Sequence, residues 1–160
     1  MITITRLTVL LFTGALAVGT SACRGTANSS APAAGVEDPR AALTRFTTML
    51  ERRDPALIDE FVDDADVLVV GSQASEIEIG RDQIAQMLKT LAAGPAVRFN
   101  WTQTRSSAKG DIAWLFAAGD VIISDQGKET RVPYRLTGVL ERKNSTWKWR
   151  QFHGSEPAMP

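Results

Sequence analysis

The hydrophobic period of this chain changes once, at Gly94-Pro95. Before that point apolar residues recur at helical spacing: Leu43, Phe46, Met49 and Leu50, then Ile84, Met87, Leu88 and Leu91. After it, Val97, Phe99 and Trp101 alternate with Arg98, Asn100 and Thr102. A period near 3.6 marks one face of a helix, and a period of two marks a half-buried strand. Helices and long strands are therefore segregated along the chain, which is the α+β arrangement.

The helical half has its own punctuation. Asp38-Pro39 starts a first helix, since Asp caps free amides and Pro suits a first turn. Asp54-Pro55 repeats the signal, and Leu57, Ile58, Phe61 and Val62 predict a short second helix. Asp63, Asp64 and Asp66 follow. They read as a solvated turn rather than a metal site, because no His or Glu stands at ligand spacing. Val67–Val70 and Glu76–Ile79 predict a short hairpin before a third helix that begins after Gly80. Beyond Gly94-Pro95 come four long strands separated by turns at Gly110, Gly127 and Asn144. Pro133 inside the third of them predicts a bulge or an edge. Ile112–Ser124 is apolar on both faces. The helices cover one face, and the other is expected to meet a second copy, a homodimer, because large exposed apolar patches are unusual.

Residues 1–22 have the pattern of an export signal: Arg6, an apolar run from Leu7 to Val18, then small residues. The apolar run is shorter than the roughly 20 residues that span a bilayer. Thr20-Ser21-Ala22-Cys23 resembles the lipobox of bacterial lipoproteins, with Thr20 where an aliphatic residue is usual. Cys23, the only cysteine, is then the expected lipidation site. Residues 23–37 read as a lipidated cysteine and flexible tether, and 38–160 as the folded domain. The expected location is a membrane-anchored lipoprotein facing the periplasm or cell exterior. Ordinary cleavage to a soluble secreted protein is the alternative. A lone cysteine forms no intramolecular disulfide. All 18 acidic residues lie from Glu37 onward, and the formal net charge is zero. No basic stripe marks a nucleic-acid partner, and the only expected membrane contact is the lipid anchor.

The last strand carries the candidate site. On a regular strand Trp147, Trp149, Gln151, His153 and Ser155 share one face, grading from bulky and apolar to polar. That gradient suits a strand leaving a packed core for a pocket wall. It also contains the only histidine.

Four segments carry a family resemblance. They are Gly71-Ser72-Gln73-Ala74-Ser75-Glu76 with Gly80-Arg81, Gly110-Asp111-Ile112-Ala113-Trp114, Arg135-Leu136-Thr137, and Trp147 through His153 to Ser155. Together they resemble the SnoaL-like domain, SnoaL-3 branch, of the NTF2-like superfamily that includes ketosteroid isomerase. The resemblance implies a cone: three N-terminal helices on the concave face of a strongly bent, mainly antiparallel sheet. It also implies an interior lined by Gln151, His153 and Ser155, with Arg135 and Thr137 beside them and Glu76 near the mouth. Trp101, Trp114 and Phe46 are the expected apolar walls. The acid–base set of ketosteroid isomerases has no residue-by-residue match here, and Tyr134, the only tyrosine, lies on a strand.

In such a pocket His153 is either a general acid or base or a satisfied core histidine. Arg135 either forks a carboxylate or pairs with Glu76. No cofactor loop, metal-ligand spacing or nucleophile–base pair appears, so no cofactor or metal is expected. Two function classes stay open. One is a ligand-binding or interaction module at the cell envelope, taking a small hydrophobic or carboxylate-bearing ligand. The other is a cofactor-free isomerase, dehydratase or cyclase acting by proton transfer on a hydrophobic carbonyl compound.

Overall fold

Asp38 starts the first helix as expected: its carboxylate accepts the Arg40 backbone N–H at 2.8 Å. The computed structural model describes residues 37–157. The signal, Cys23 and the tether lie outside the described residues. Helix α1, Arg40–Glu51, buries Ala42, Leu43, Phe46 and Leu50 along one side.

The second helix is shorter and tighter than its apolar spacing predicts. It is a six-residue 3₁₀ helix, Pro55–Glu60, capped by the Asp54 carboxylate on the Ala56 N–H at 2.9 Å. Phe61 and Val62 do not extend it, because the sheet takes their backbone. Phe61 forms a bridge to Trp149, and the Val62 N–H donates to the Trp149 carbonyl at 2.9 Å. The expected three helices are thus two α-helices and this 3₁₀ turn. Helix α2, Arg81–Ala93, buries Ile84 and Leu88.

The strands are β1 (Leu68–Val70), β2 (Ile77–Ile79), β3 (Ala96–Lys109), β4 (Ile112–Asp125), β5 (Lys128–Lys143) and β6 (Thr146–Ser155). They form one sheet in the order β2-β1-β6-β5-β4-β3. Every neighbouring pair is antiparallel except β1 with β6, so the sheet is mixed. The four long strands follow one another through two-residue turns. Pro133 pairs with Asp120 on the β4 side, while β6 ends at Ser155, opposite Arg135. Its missing N–H therefore sits on a stretch of β5 that β6 does not reach, an edge in the middle of a sheet.

The core lies between the helices and the inner face of the sheet. Leu115, Ala117, Leu136, Leu140, Trp147 and Trp149 meet Phe46, Leu57 and Ile84 there. Each large apolar side chain so buried contributes about 1.5–3 kcal/mol. Trp149 packs edge-on to Phe46, with ring centroids 5.7 Å apart. Trp147 is held at both of its N–H groups. Its indole N–H donates to the Glu37 carbonyl at 2.7 Å and its backbone N–H to the Glu37 carboxylate at 3.1 Å. Buried Glu60 accepts from Arg45 Nε at 2.9 Å, and Arg45 also reaches the Trp147 carbonyl at 2.8 Å. A buried carboxylate is tolerable only when paired in this way.

Candidate functional site

One irregularity in β6 decides which residues face the interior. Leu140 pairs with Trp149, but the next residue back, Val139, pairs with Gln151. Arg150 is the extra residue of a β-bulge. A single inserted residue moves every later side chain to the opposite face. Trp147 and Trp149 point inward and are buried, and beyond the bulge Phe152 and Gly154 take the inward positions. Gln151, His153 and Ser155 face outward.

The interior placement expected for these three is therefore corrected. They do stand together with Arg135 and Thr137: Thr137 pairs with His153, and Arg135 with Ser155. The face they share is the outer one. His153, Arg135 and Thr137 are exposed, while Gln151 and Ser155 are half-buried. Trp114 joins them rather than the cavity wall and is 52% exposed. With Arg105, Phe116, Thr137, Val139 and Gln151 it lines an open groove of about 500 Å³ on the outer face. Neither a buried His153 nor an Arg135–Glu76 ion pair occurs.

Arg150 uses its outward turn at the bulge to gather acids. Its guanidinium donates to Glu141 at 2.6 Å, Asp66 at 2.6 Å and Asp64 at 2.9 Å. Hydrogen bonds from Arg150 hold the Asp64 carboxyl below its ordinary range, and Lys143 and Arg150 together do the same to Glu141. The acidic run after the 3₁₀ helix is thus answered by arginines, with Asp63 facing Arg81 at 3.9 Å.

The inner face keeps a cavity of about 700 Å³ at its open end. Phe46 and Leu50 of α1 and Met87 and Leu91 of α2 form one side. Phe99, Val121, Ile123, Tyr134 and Phe152 form the sheet side. Of the expected wall residues, Phe46 lines this cavity and Trp101 stands next to it. Trp101 stacks on Phe99 with centroids 4.8 Å apart and planes 7° from parallel.

The mouth is polar and tightly tied. The loop between β1 and β2 closes on itself through the Gly71 N–H to the Glu76 carbonyl at 2.8 Å and the Glu76 N–H to the Gln73 carbonyl at 3.0 Å. The Glu76 side chain folds over Gly71, where a β-carbon would stand 2.7 Å from that of Glu76. One Glu76 oxygen accepts the Gln73 N–H at 3.0 Å. Ser72 Oγ accepts the Glu156 N–H at 3.1 Å, joining this loop to the chain just past β6. Glu76, Glu78 and Glu156 all line the opening, with Gln83 and Gln86 from α2. Glu76 stands at the mouth, where the resemblance puts it.

Tyr134, on β5 and outside the expected site residues, stands among these walls. It has the inward parity of Leu136 and Leu140, opposite to Arg135. Its ring tilts against Phe99 with centroids 5.5 Å apart. Burial, reinforced by the charges of Glu76 and Glu156, pushes its hydroxyl up to about 12. It is therefore a neutral hydrogen-bond donor at physiological pH. Phe152 is the sequence signal for this arrangement: a large apolar residue between Gln151 and His153 favours the inward face.

This combination of an open mixed sheet, helices on one face and a cavity at the sheet's open end defines the NTF2-like α+β fold. Residues 40–160 match the family described as the SnoaL-like domain, and the chain belongs to that family. No curated protein matches the chain. Solved structures agree on the fold. An NTF2-like family protein from Streptomyces avermitilis, named as a candidate dehydratase, superposes with a TM-score of 0.70 at 22% identity, over 78% of this chain and 96% of its own. A candidate calcium/calmodulin-dependent protein kinase II association domain from Xanthomonas campestris gives 0.65 at 18% identity, over 73% and 84%. A ketosteroid isomerase-like protein from Erwinia carotovora atroseptica gives 0.60 at 19% identity, over 75% and 94%. Three differently named proteins share this fold, so activity has to be argued from the site.

Proposed function

We propose that this protein is a small-ligand-binding domain of the bacterial cell envelope, anchored through lipidated Cys23. The observation that carries the binding reading is the cavity of about 700 Å³, apolar within and polar at its mouth. Small-ligand sites have this size and this distribution of groups. The envelope reading rests on the leader and lipobox-like sequence alone. Native mass spectrometry of the purified protein tests binding: a retained small molecule is the expected result. A protein that carries none and takes up no apolar probe ends this reading. Metabolic labelling with a fatty acid tests the anchor. Label on the wild type that disappears in Cys23→Ala is expected, and an unlabelled wild type defeats it.

One observation favours a second reading, a cofactor-free isomerase, dehydratase or cyclase. Tyr134 is a neutral phenol set among apolar walls, with three carboxylates at the same opening. A phenol can donate to a developing oxyanion while a carboxylate takes a proton. In this reading Tyr134 and Glu76 replace His153, which is on the other face. Conversion of a hydrophobic enone by the wild type and not by Tyr134→Phe is the result that would favour it.

We also propose that two copies meet through the outer face. Trp114 is more than half exposed there, beside half-buried Phe116 and Val139. Light scattering should give a dimeric mass that Trp114→Glu halves. A monomeric wild type at micromolar concentration refutes it.

A further inference from the structure

The cavity has a charge bias that selects among hydrophobic ligands. Its mouth carries three carboxylates, Glu76, Glu78 and Glu156, and among the described residues no lysine, arginine or histidine lines it. Most carboxylates elsewhere in the domain are answered by a cation. Arg45 answers Glu37 and Glu60, Arg81 answers Asp59 and Asp63, and Arg150 answers Asp64, Asp66 and Glu141. Among the described residues neither the Glu78 nor the Glu156 carboxylate has an ion-pair partner, and Glu76 accepts only a backbone N–H. Their positions are built rather than accidental: Glu76 is folded over Gly71, and the backbone of Glu156 is tied to Ser72.

The walls just inside point the same way. Phe99 and Tyr134 present a tilted pair of aromatic rings to the cavity, with Trp101 stacked behind Phe99. Aromatic faces attract cations, more so where water is excluded. A cleft with low-dielectric walls and one sign of charge concentrates the opposite sign. An anionic head would meet three carboxylates with no donor side chain other than amides and hydroxyls.

We propose that this cavity, accepted as the ligand site argued above, takes a hydrophobic molecule bearing a cationic nitrogen. The apolar part lies against Met87, Leu91 and Val121, and the cation rests between the Phe99–Tyr134 rings and the glutamate mouth. The field of Glu76 and Glu156 reaches the buried Tyr134 hydroxyl, which accords with a cation being stabilised at that depth.

Three probes that share one chain and differ in head charge test it: decylammonium, decanol and decanoate, titrated into the purified full-length protein by calorimetry at low salt. Decylammonium should bind about tenfold tighter than decanol, with decanoate weakest, and added salt should erode the preference. Glu78→Gln with Glu156→Gln should bring decylammonium within about twofold of decanol. Both side chains stand at the mouth and hold no partner, so this variant should melt like the wild type. Asp111→Asn, a carboxylate in the β3–β4 turn at the far end of the sheet from the cavity, should leave the head preference unchanged. Equal affinities for the three heads, or a preference for decanoate, overturn the charge inference while decanol binding keeps the ligand-site reading. A cation preference that survives the double substitution also overturns it. Binding of no probe defeats both.

Discussion

The Tyr134 phenol lies directly over Gly154, across the strand pair β5–β6. A β-carbon at Gly154 would overlap the Tyr134 hydroxyl and stand 2.5 Å from ring carbon Cζ. The glycine is what lets the ring lie flat against the sheet and form the cavity wall. The residue after it, Ser155, already faces outward opposite Arg135, so the wall at this point is one tyrosine and one glycine deep.

Gly154→Ala should therefore cost about 1–3 kcal/mol, the usual result of overpacking a filled site. It should also push the Tyr134 ring into the cavity and weaken uptake of an apolar probe. In a Tyr134→Phe background the same substitution should cost less, because the atom that suffers the worst overlap is gone. Chemical denaturation of the four proteins of this cycle gives the coupling. Equal costs in both backgrounds would show that the ring is not where the alanine presses.

Tyr134 also predicts a feature of alkaline stability. Its folded-state value is raised, from 10.0 to about 12, mainly by burial. Between those values the unfolded chain has lost the proton that the folded chain keeps. The unfolded state then binds fewer protons, so stability falls as pH rises through this window. Below pH 10 the contribution is fully present. Tyr134→Phe should flatten the stability curve between pH 10 and 12. Phenolate absorbance should place the wild-type transition near the top of that window. Titration at the ordinary tyrosine value would refute the buried placement.

Arg150 governs the opposite end of the pH scale. Hydrogen bonds from its guanidinium lower Asp64, and it shares with Lys143 the lowering of Glu141. A depressed carboxylate stabilises the fold above its unfolded value, and that contribution is lost as pH falls towards the folded one. Arg150→Met should lower Tm at neutral pH by on the order of a few degrees and should weaken the loss of stability on acidification. Because these groups are solvent-accessible, high salt should reduce the difference between the two proteins. A variant with an unchanged acid profile would mean the three contacts contribute nothing in solution.

Much of this architecture is legible in the sequence, and the parts that are not have causes that local pattern does not carry. The period change at Gly94-Pro95 separates the helices from the long strands, and β3–β6 run between turns at the expected glycines and asparagine. The grouping of Arg135, Thr137, Gln151, His153 and Ser155 on one face also holds, because parity along β5 and along the end of β6 is regular. What alternation cannot reveal is an inserted residue. Arg150 is charged and reads as an ordinary outward position, so counting from Trp147 carries every later residue to the wrong face. The second helix fails for a related reason. Local spacing describes the 3₁₀ turn well, but a partner far along the chain, the Trp149 carbonyl, takes the Val62 N–H and ends it.

The bulge itself yields the sharpest test, because it exchanges the fates of two adjacent residues. Without it His153 would stand on the inner face and Phe152 on the outer. With it Phe152 is 7% exposed, packs 5.1 Å from Phe46 and 5.4 Å from Trp149 by ring centroids, and lines the cavity. His153 is exposed opposite Thr137. Phe152→Ala should cost about 3–5 kcal/mol, the range for emptying an aromatic from a core. His153→Ala should stay within about 0.5 kcal/mol, as surface changes do. Deleting Arg150 should leave Phe152 inward and His153 outward, since it removes the extra residue and lets Gln151 follow Trp149 in simple alternation; its cost is the loss of the contacts to Glu141, Asp66 and Asp64. Urea denaturation of the two substitutions decides the matter. A destabilising His153→Ala beside a tolerated Phe152→Ala would mean that β6 runs straight and that the histidine faces the interior after all.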